Sequence, residues 1–180
     1  MIPTPTMNKE TWTAMTALQP RLRRFAYGLT GSLDEADDLV QAAYERAISR
    51  IAQWQAGTRL DSWMYRIVQT IHINRQQANR VRGAHLKPVD PDTLTARDQA
   101  RALEASITLA KVRGFIGRLP EEQRAALLLV AVEGLSYRDA AEVLDLPVGT
   151  LTSRVARARV ALRDFVDGSA VQTATGGGHS

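Results

Sequence analysis

The sequence predicts an all-α protein, built as two small helical domains joined by a flexible linker. Three observations carry this. Apolar residues recur at steps of three and four along most of the chain, the period of a helix with one buried face. Ala, Leu, Arg and Gln abound while aromatic residues make up only 6%, a balance that favours helix over sheet. No stretch alternates apolar and polar residues long enough to make a strand.

A short helix is expected from about Asn8. Pro20 either bends it or opens a new helix that ends near Gly31. Ser32 and Glu35 have capping-box spacing. After them Ala36, Leu39, Val40, Ala43, Tyr44, Ala47, Ile48 and Ile51 form an apolar stripe, while Asp34, Asp37, Asp38, Gln41 and Glu45 form an acidic, solvated face. Gly57 interrupts this pattern. A third helix from about Arg59 to Val81 carries the stripe Leu60, Trp63, Met64, Ile67, Val68 and Ile71, which places Trp63 in the core. Beyond that stripe it turns polar and basic, with His72, Asn74, Arg75, Gln76, Gln77, Asn79, Arg80 and Arg82, and from Arg59 to Lys87 six basic residues (Arg59, Arg66, Arg75, Arg80, Arg82 and Lys87) stand against the single acid Asp61. Pro88 and Pro91 mark a linker. Helix resumes near Asp98 and runs to about Arg118. Pro120 opens the next helix, which Gly134 ends after Val132. Ser136 caps a short helix over 137–144, and a last one runs from about Gly149 to Phe165. The tail from Gly168 is rich in Gly, Thr and Ser and is predicted to be disordered.

Composition excludes several chemistries. The 180 residues contain no cysteine, so disulfides, thiol catalysis and cysteine-held zinc are absent. His72, His85 and His179 have no ligand spacing. No metal or cofactor is expected. No apolar run nears the ~20 residues that cross a bilayer, and no signal-peptide pattern opens the chain, so a cytoplasmic protein without membrane insertion is predicted. The formal net charge of +4 is weak support for a polyanionic partner.

Charge distribution says more. Two short helices and a tight turn over 136–163 have helix-turn-helix proportions. A step of ~100° per residue puts Leu151, Val155, Ala158 and Leu162 on one side of the last helix. Gly149, Ser153, Ala156, Arg157 and Val160 fall on the other. Thr152, Arg154, Arg159 and Arg163 flank them, and no acid occurs from Thr150 to Arg163. Small residues let a helix approach base edges, arginine pairs with guanine, and flanking arginines hold phosphates.

The segment "LPEEQRAALLLVAVEGLSYRDAAEVLDLPVGTLTSRVARARVALR" resembles region 4 of extracytoplasmic-function sigma factors. Upstream, "GSLDEADDLVQAAYERA" resembles their region 2.2, and "GTRLDSWMYRIVQT" their regions 2.3 and 2.4. The resemblance covers roughly residues 18–165, in the family's order. It divides the chain into region 2 over 8–82, a linker over 83–100, region 4 over 101–166 and a tail over 167–180.

The resemblance implies a sigma factor that binds the beta-prime and beta subunits of core RNA polymerase and directs it to promoter DNA. Asp37, Asp38, Leu39, Val40 and Gln41 match the positions that dock on polymerase. The loop from Trp54 to Asp61 matches the family's base-capturing loop. Trp54, Arg59, Arg66, Thr70, Asn74 and Arg75 match the surface that holds the minus-10 strand, with Trp54 as a stacking platform. Thr152, Ser153, Ala156 and Arg157 would face minus-35 bases, and Thr150, Arg154 and Arg159 the backbone. Thr70 stands where the family usually has asparagine, and Thr152 where it has lysine or arginine, which alters base preference at both places. An anti-sigma factor is a further implied partner. Two rival readings are a helix-turn-helix regulator acting without polymerase, and a sigma mimic that titrates an anti-sigma factor.

Overall fold

The computed structural model describes residues 8–83 and 101–175, with side chains over 8–83 and 109–168. The expected linker and the end of the tail lie outside the described residues. Helices α1 (Lys9–Ala17), α2 (Gln19–Thr30) and α3 (Leu33–Ser49) are followed by a 3-10 turn (Ile51–Gln53) and α4 (Leu60–Val81). The second half holds α5 (Arg101–Arg118), α6 (Glu121–Leu127), a π turn (Leu128–Val132), α7 (Tyr137–Leu144) and α8 (Val148–Thr175). The described residues contain no strand.

Local chemistry sets the boundaries. Asn8 Oδ1 accepts from the Thr11 amide at 2.7 Å and starts α1. Pro20 lies in the first turn of α2, where its missing N–H costs nothing. Gly31 ends α2 at φ 72°, a left-handed conformation that suits a residue without Cβ. Ser32 and Ser136 cap α3 and α7, accepting from the amides of Glu35 and Asp139.

The sequence predicts one continuous helix from Pro120 to Val132, but its last turn widens. The Glu133 amide donates to the Leu128 carbonyl at 2.9 Å, five residues back. A π turn holds one residue more than an α turn, so every later residue is rotated by roughly 100° about the axis. Glu133 thereby faces inward. At the other end α8 runs on to Thr175, past the expected end at Phe165, because Gly168 alone is too weak a breaker among Ala170, Gln172 and Ala174.

The two halves pack against each other. Leu22, Phe25, Leu29, Leu39, Met64, Tyr65 and Val68 from the first half form one apolar cluster with Ala125, Leu129, Val143, Leu151 and Val155 from the second. Each large side chain buried this way contributes about 1.5–3 kcal/mol. Phe25 and Tyr65 meet edge to face, 5.2 Å between centroids. Trp63 is half-buried and packs on the cluster. A smaller cluster of Leu119, Leu127 and Ala158, with Phe115 and Ala161, joins α5 and α6 to α8.

Candidate nucleic-acid interface

The helix-turn-helix is made of α7 and α8. Its turn closes at Asp145, which takes the left-handed conformation at φ 54°. The Leu146 amide donates to the Ala141 carbonyl at 2.9 Å. Leu151, Val155 and Ala158 are wholly buried and hold α8 in place. Thr150, Thr152, Ser153, Ala156, Arg157 and Arg159 are all exposed, as the helical period predicts. The hydroxyls of Thr152 and Ser153 donate to the carbonyls of Val148 and Gly149. Arg154 is half-buried and pairs with Glu122 at 2.9 Å.

On α3, Asp37, Asp38 and Gln41 are exposed. Asp37 is held by Arg23 through two hydrogen bonds, and this arginine pulls its carboxyl below the usual aspartate range. Gln41 donates to Glu45 at 3.2 Å. The resemblance placed Leu39 and Val40 on the same docking surface. The structure corrects that: they are 1% and 6% exposed and belong to the core, as their place on the apolar stripe requires. They anchor the helix, and the surface is left to the three polar residues.

The loop before α4 and the start of α4 border a cavity of about 530 Å³. Gln53, Trp54, Thr58, Arg59, Ser62 and Arg66 line one side; Arg138, Asp139, Glu142 and Val143 of α7 line the other. Trp54 Nε1 and Ser62 Oγ are buried here without a hydrogen-bond partner among the described residues. One turn further, Arg66, Thr70 and Asn74 share a second depression with Val143, Leu144 and Asp145. Arg75 is exposed on the flank and is not among the residues lining either one. Arg59 is bound by Asp61 at 2.8 Å and also by Asp139 of α7. Arg66 Nη2 donates to the Glu142 carbonyl at 2.6 Å.

A polar cluster that sequence reasoning missed joins the halves. The Glu133 carboxylate is fully buried. Arg24 donates to both its oxygens at 2.8 and 2.9 Å, Tyr65 donates to Oε2 at 2.6 Å, and Arg21 Nη2 donates to the Glu133 backbone carbonyl at 3.1 Å. Burial and this carboxylate push the Tyr65 hydroxyl far above its ordinary range. Nearby, the Arg124 guanidinium donates to the carbonyls of Leu29, Ile116, Gly117 and Leu119, and burial lowers its pKa. His72 Nε2 lies 3.0 Å from Glu121 Oε1. The one visible sequence signal is Glu133 itself, a single acid ending the apolar run 125–132. Among the described residues no group of acids and histidines could hold a metal, and no helix is long and apolar enough to cross a membrane.

A helix that presents arginines and small polar residues, over a turn of this shape, defines a class: helix-turn-helix DNA-binding proteins. The family described as Sigma-70, region 4 matches residues 109–162, and the Sigma2 domain of PhyR matches residues 15–69. The chain is 36% identical over 155 residues to the ECF RNA polymerase sigma factor EcfG of Rhodopseudomonas palustris (strain TIE-1), covering 85% of this chain and 84% of that one. It is 38% identical over 147 residues to the ECF RNA polymerase sigma factor SigC of Mycobacterium tuberculosis (strain CDC 1551 / Oshkosh), covering 81% and 77%. The sigma factor RpoE of Bartonella quintana, solved in complex with the anti-sigma factor NepR, superposes with a TM-score of 0.74 at 26% identity, over 89% of this chain and 98% of that one. This chain belongs to the extracytoplasmic-function family of RNA polymerase sigma factors.

Proposed function

We propose that this sigma factor joins core RNA polymerase and fixes it at promoters through two separate DNA contacts. The observation that carries the reading is the face of α8: exposed Ser153, Ala156 and Arg157 over wholly buried Leu151, Val155 and Ala158. Such a face fits a major groove, where Arg157 reads the minus-35 element and Thr150 and Arg159 hold its backbone. Asp37, Asp38 and Gln41 meet the beta-prime subunit, and region 4 contacts the beta subunit. Trp54, Arg59, Arg66, Thr70, Asn74 and Arg75 hold the non-template strand of the minus-10 element. Buried polar groups without partners beside Trp54 suit an extruded base, which brings its own donors and acceptors.

In this reading the chain works in the cytoplasm and supplies no catalytic group, since nucleotide chemistry stays with the polymerase. The Bartonella quintana relative is seen with an anti-sigma factor, and a partner of that kind regulates this chain too. Transcription in vitro with purified core enzyme on genomic fragments tests the proposal. Defined start sites that depend on this chain are expected. A chain that co-purifies with no core enzyme and yields no specific start would overturn it.

A further inference from the structure

The exposed face of α8 holds a hydroxyl whose proton is already engaged. Ser153 Oγ lies 3.0 Å from the Gly149 carbonyl, one turn back. A carbonyl has no proton to give, so the hydroxyl donates its only one there. What Ser153 then offers to a ligand is lone pairs. Serine can in general pair with any base edge. Here that freedom is removed, because donating to a base would mean giving up the bond to the helix. The neighbouring Thr152 commits its proton in the same way, to the Val148 carbonyl at 2.8 Å. Gly149 adds an independent observation. It is exposed, its φ is not positive, and a Cβ there would meet nothing within 4 Å. Neither backbone conformation nor packing calls for glycine, which weakens a helix. A step of ~100° per residue puts Gly149 about 40° from Ser153, on the side of Ala156. Along this line Gly149, Ser153 and Ala156 carry nothing larger than a serine side chain, and a hydroxyl this short reaches a base edge only if the backbone comes close.

We propose that Ser153 reads one base pair of the minus-35 element as an acceptor alone, taking a hydrogen bond from the exocyclic amine of adenine or cytosine in the major groove. The proposal rests on the minus-35 reading of α8 and adds the class of base. Every base pair carries one such amine, adenine N6 or cytosine N4, while its partner presents an oxygen, thymine O4 or guanine O6. An acceptor facing that oxygen is repelled. Ser153 therefore prefers A·T to T·A and C·G to G·C, and so tells the two strands apart. Arg157, one turn on, supplies only donors and suits a guanine. Acceptor and donor one turn apart fix the register, since a slip that exchanges them sets like groups against like.

Removing single groups from the DNA tests it. The probe is the minus-35 duplex that holoenzyme, carrying the full-length chain, selects from a random pool. Each adenine is replaced in turn by purine and each cytosine by 2-pyrimidinone, which takes away the amine and adds no bulk. Affinity is measured for holoenzyme with the parent chain and with Ser153→Ala. Any general weakening of the duplex is common to both, so the ratio isolates the contact. At one position the parent is expected to lose about three- to ten-fold, and Ser153→Ala to lose nothing further there. Gly149→Leu is expected to melt no lower than the parent, since its side chain has room, yet to bind the duplex at least as weakly as Ser153→Ala. Amine removal that costs the parent nothing at any position overturns the acceptor role, and so does a cost that persists in Ser153→Ala. Undiminished binding by Gly149→Leu overturns the close approach and the contact with it. A parallel scan with 7-deazaguanine keeps the minus-35 reading separate. A cost there that Arg157→Ala cancels leaves that reading standing while this proposal fails. A holoenzyme that selects no such duplex, or that is indifferent to both scans, removes both.

Discussion

The Tyr65 hydroxyl donates a 2.6 Å hydrogen bond to Oε2 of Glu133, across 68 residues of sequence. Both side chains are buried, and the ring of Tyr65 packs on Phe25. One tyrosine thus belongs to the apolar core of the first half and to the polar contact with the second.

Tyr65→Phe keeps the ring and removes the hydroxyl. A hydrogen bond to a charged group contributes about 1.5–3 kcal/mol, so a loss of that order is expected. Urea denaturation followed by circular dichroism measures it. A loss much below ~0.5 kcal/mol would mean the arginines alone satisfy the carboxylate.

Arg124→Leu should cost more. Four part-buried carbonyls lose the guanidinium at once, and only that of Ile116 keeps a second backbone donor, the Leu119 amide. A destabilisation of roughly 2–4 kcal/mol is expected. Amide exchange should quicken at the α5–α6 junction, where three of those carbonyls lie.

Acid should weaken the start of α4. Asp61 is held below its ordinary value of 3.8, chiefly by the hydrogen bond from Arg59. Its folded pKa is depressed, so its contribution is fully present above pH 3.8 and fades as pH falls through the folded value. Asp61→Asn should therefore be less stable than the parent at about pH 6, with a smaller gap at about pH 3. Denaturation at the two pH values checks the sign, and a gap that widens in acid would contradict it.

Arg157→Ala should weaken binding to promoter duplex by about 1–3 kcal/mol if the side chain reads a guanine. Titration against promoter and scrambled duplexes separates base from phosphate contact. Equal losses on both would reassign Arg157 to the backbone.

Much of this architecture was legible from short-range pattern. Ser32, Gly31 and Ser136 mark helix ends through bonds to neighbours a few residues away, and Gly134 marks one by its left-handed φ of 71°. The exposed face of α8 comes from counting 100° per residue around Leu151, Val155 and Ala158. The same counting places Leu39 and Val40 inside, and there it was a better guide than family resemblance. Long-range pairing is the part that pattern could not show. Glu133 meets Arg24 across 109 residues, and Arg59 meets Asp139 across 80. No helical period relates such pairs. His72 read as part of a polar stretch, yet it is 3% exposed beside Glu121.

The widened turn at Leu128–Val132 carries a lesson for engineering and for divergence. Deleting any one residue there would restore an ordinary α turn without touching a single charge. Glu133 would then emerge on another side of the rod, away from Arg24 and Tyr65. The fastening between the halves is thus encoded in angular phase as much as in chemistry. A homologue could shed it by losing one codon while every residue of the cluster stays in place.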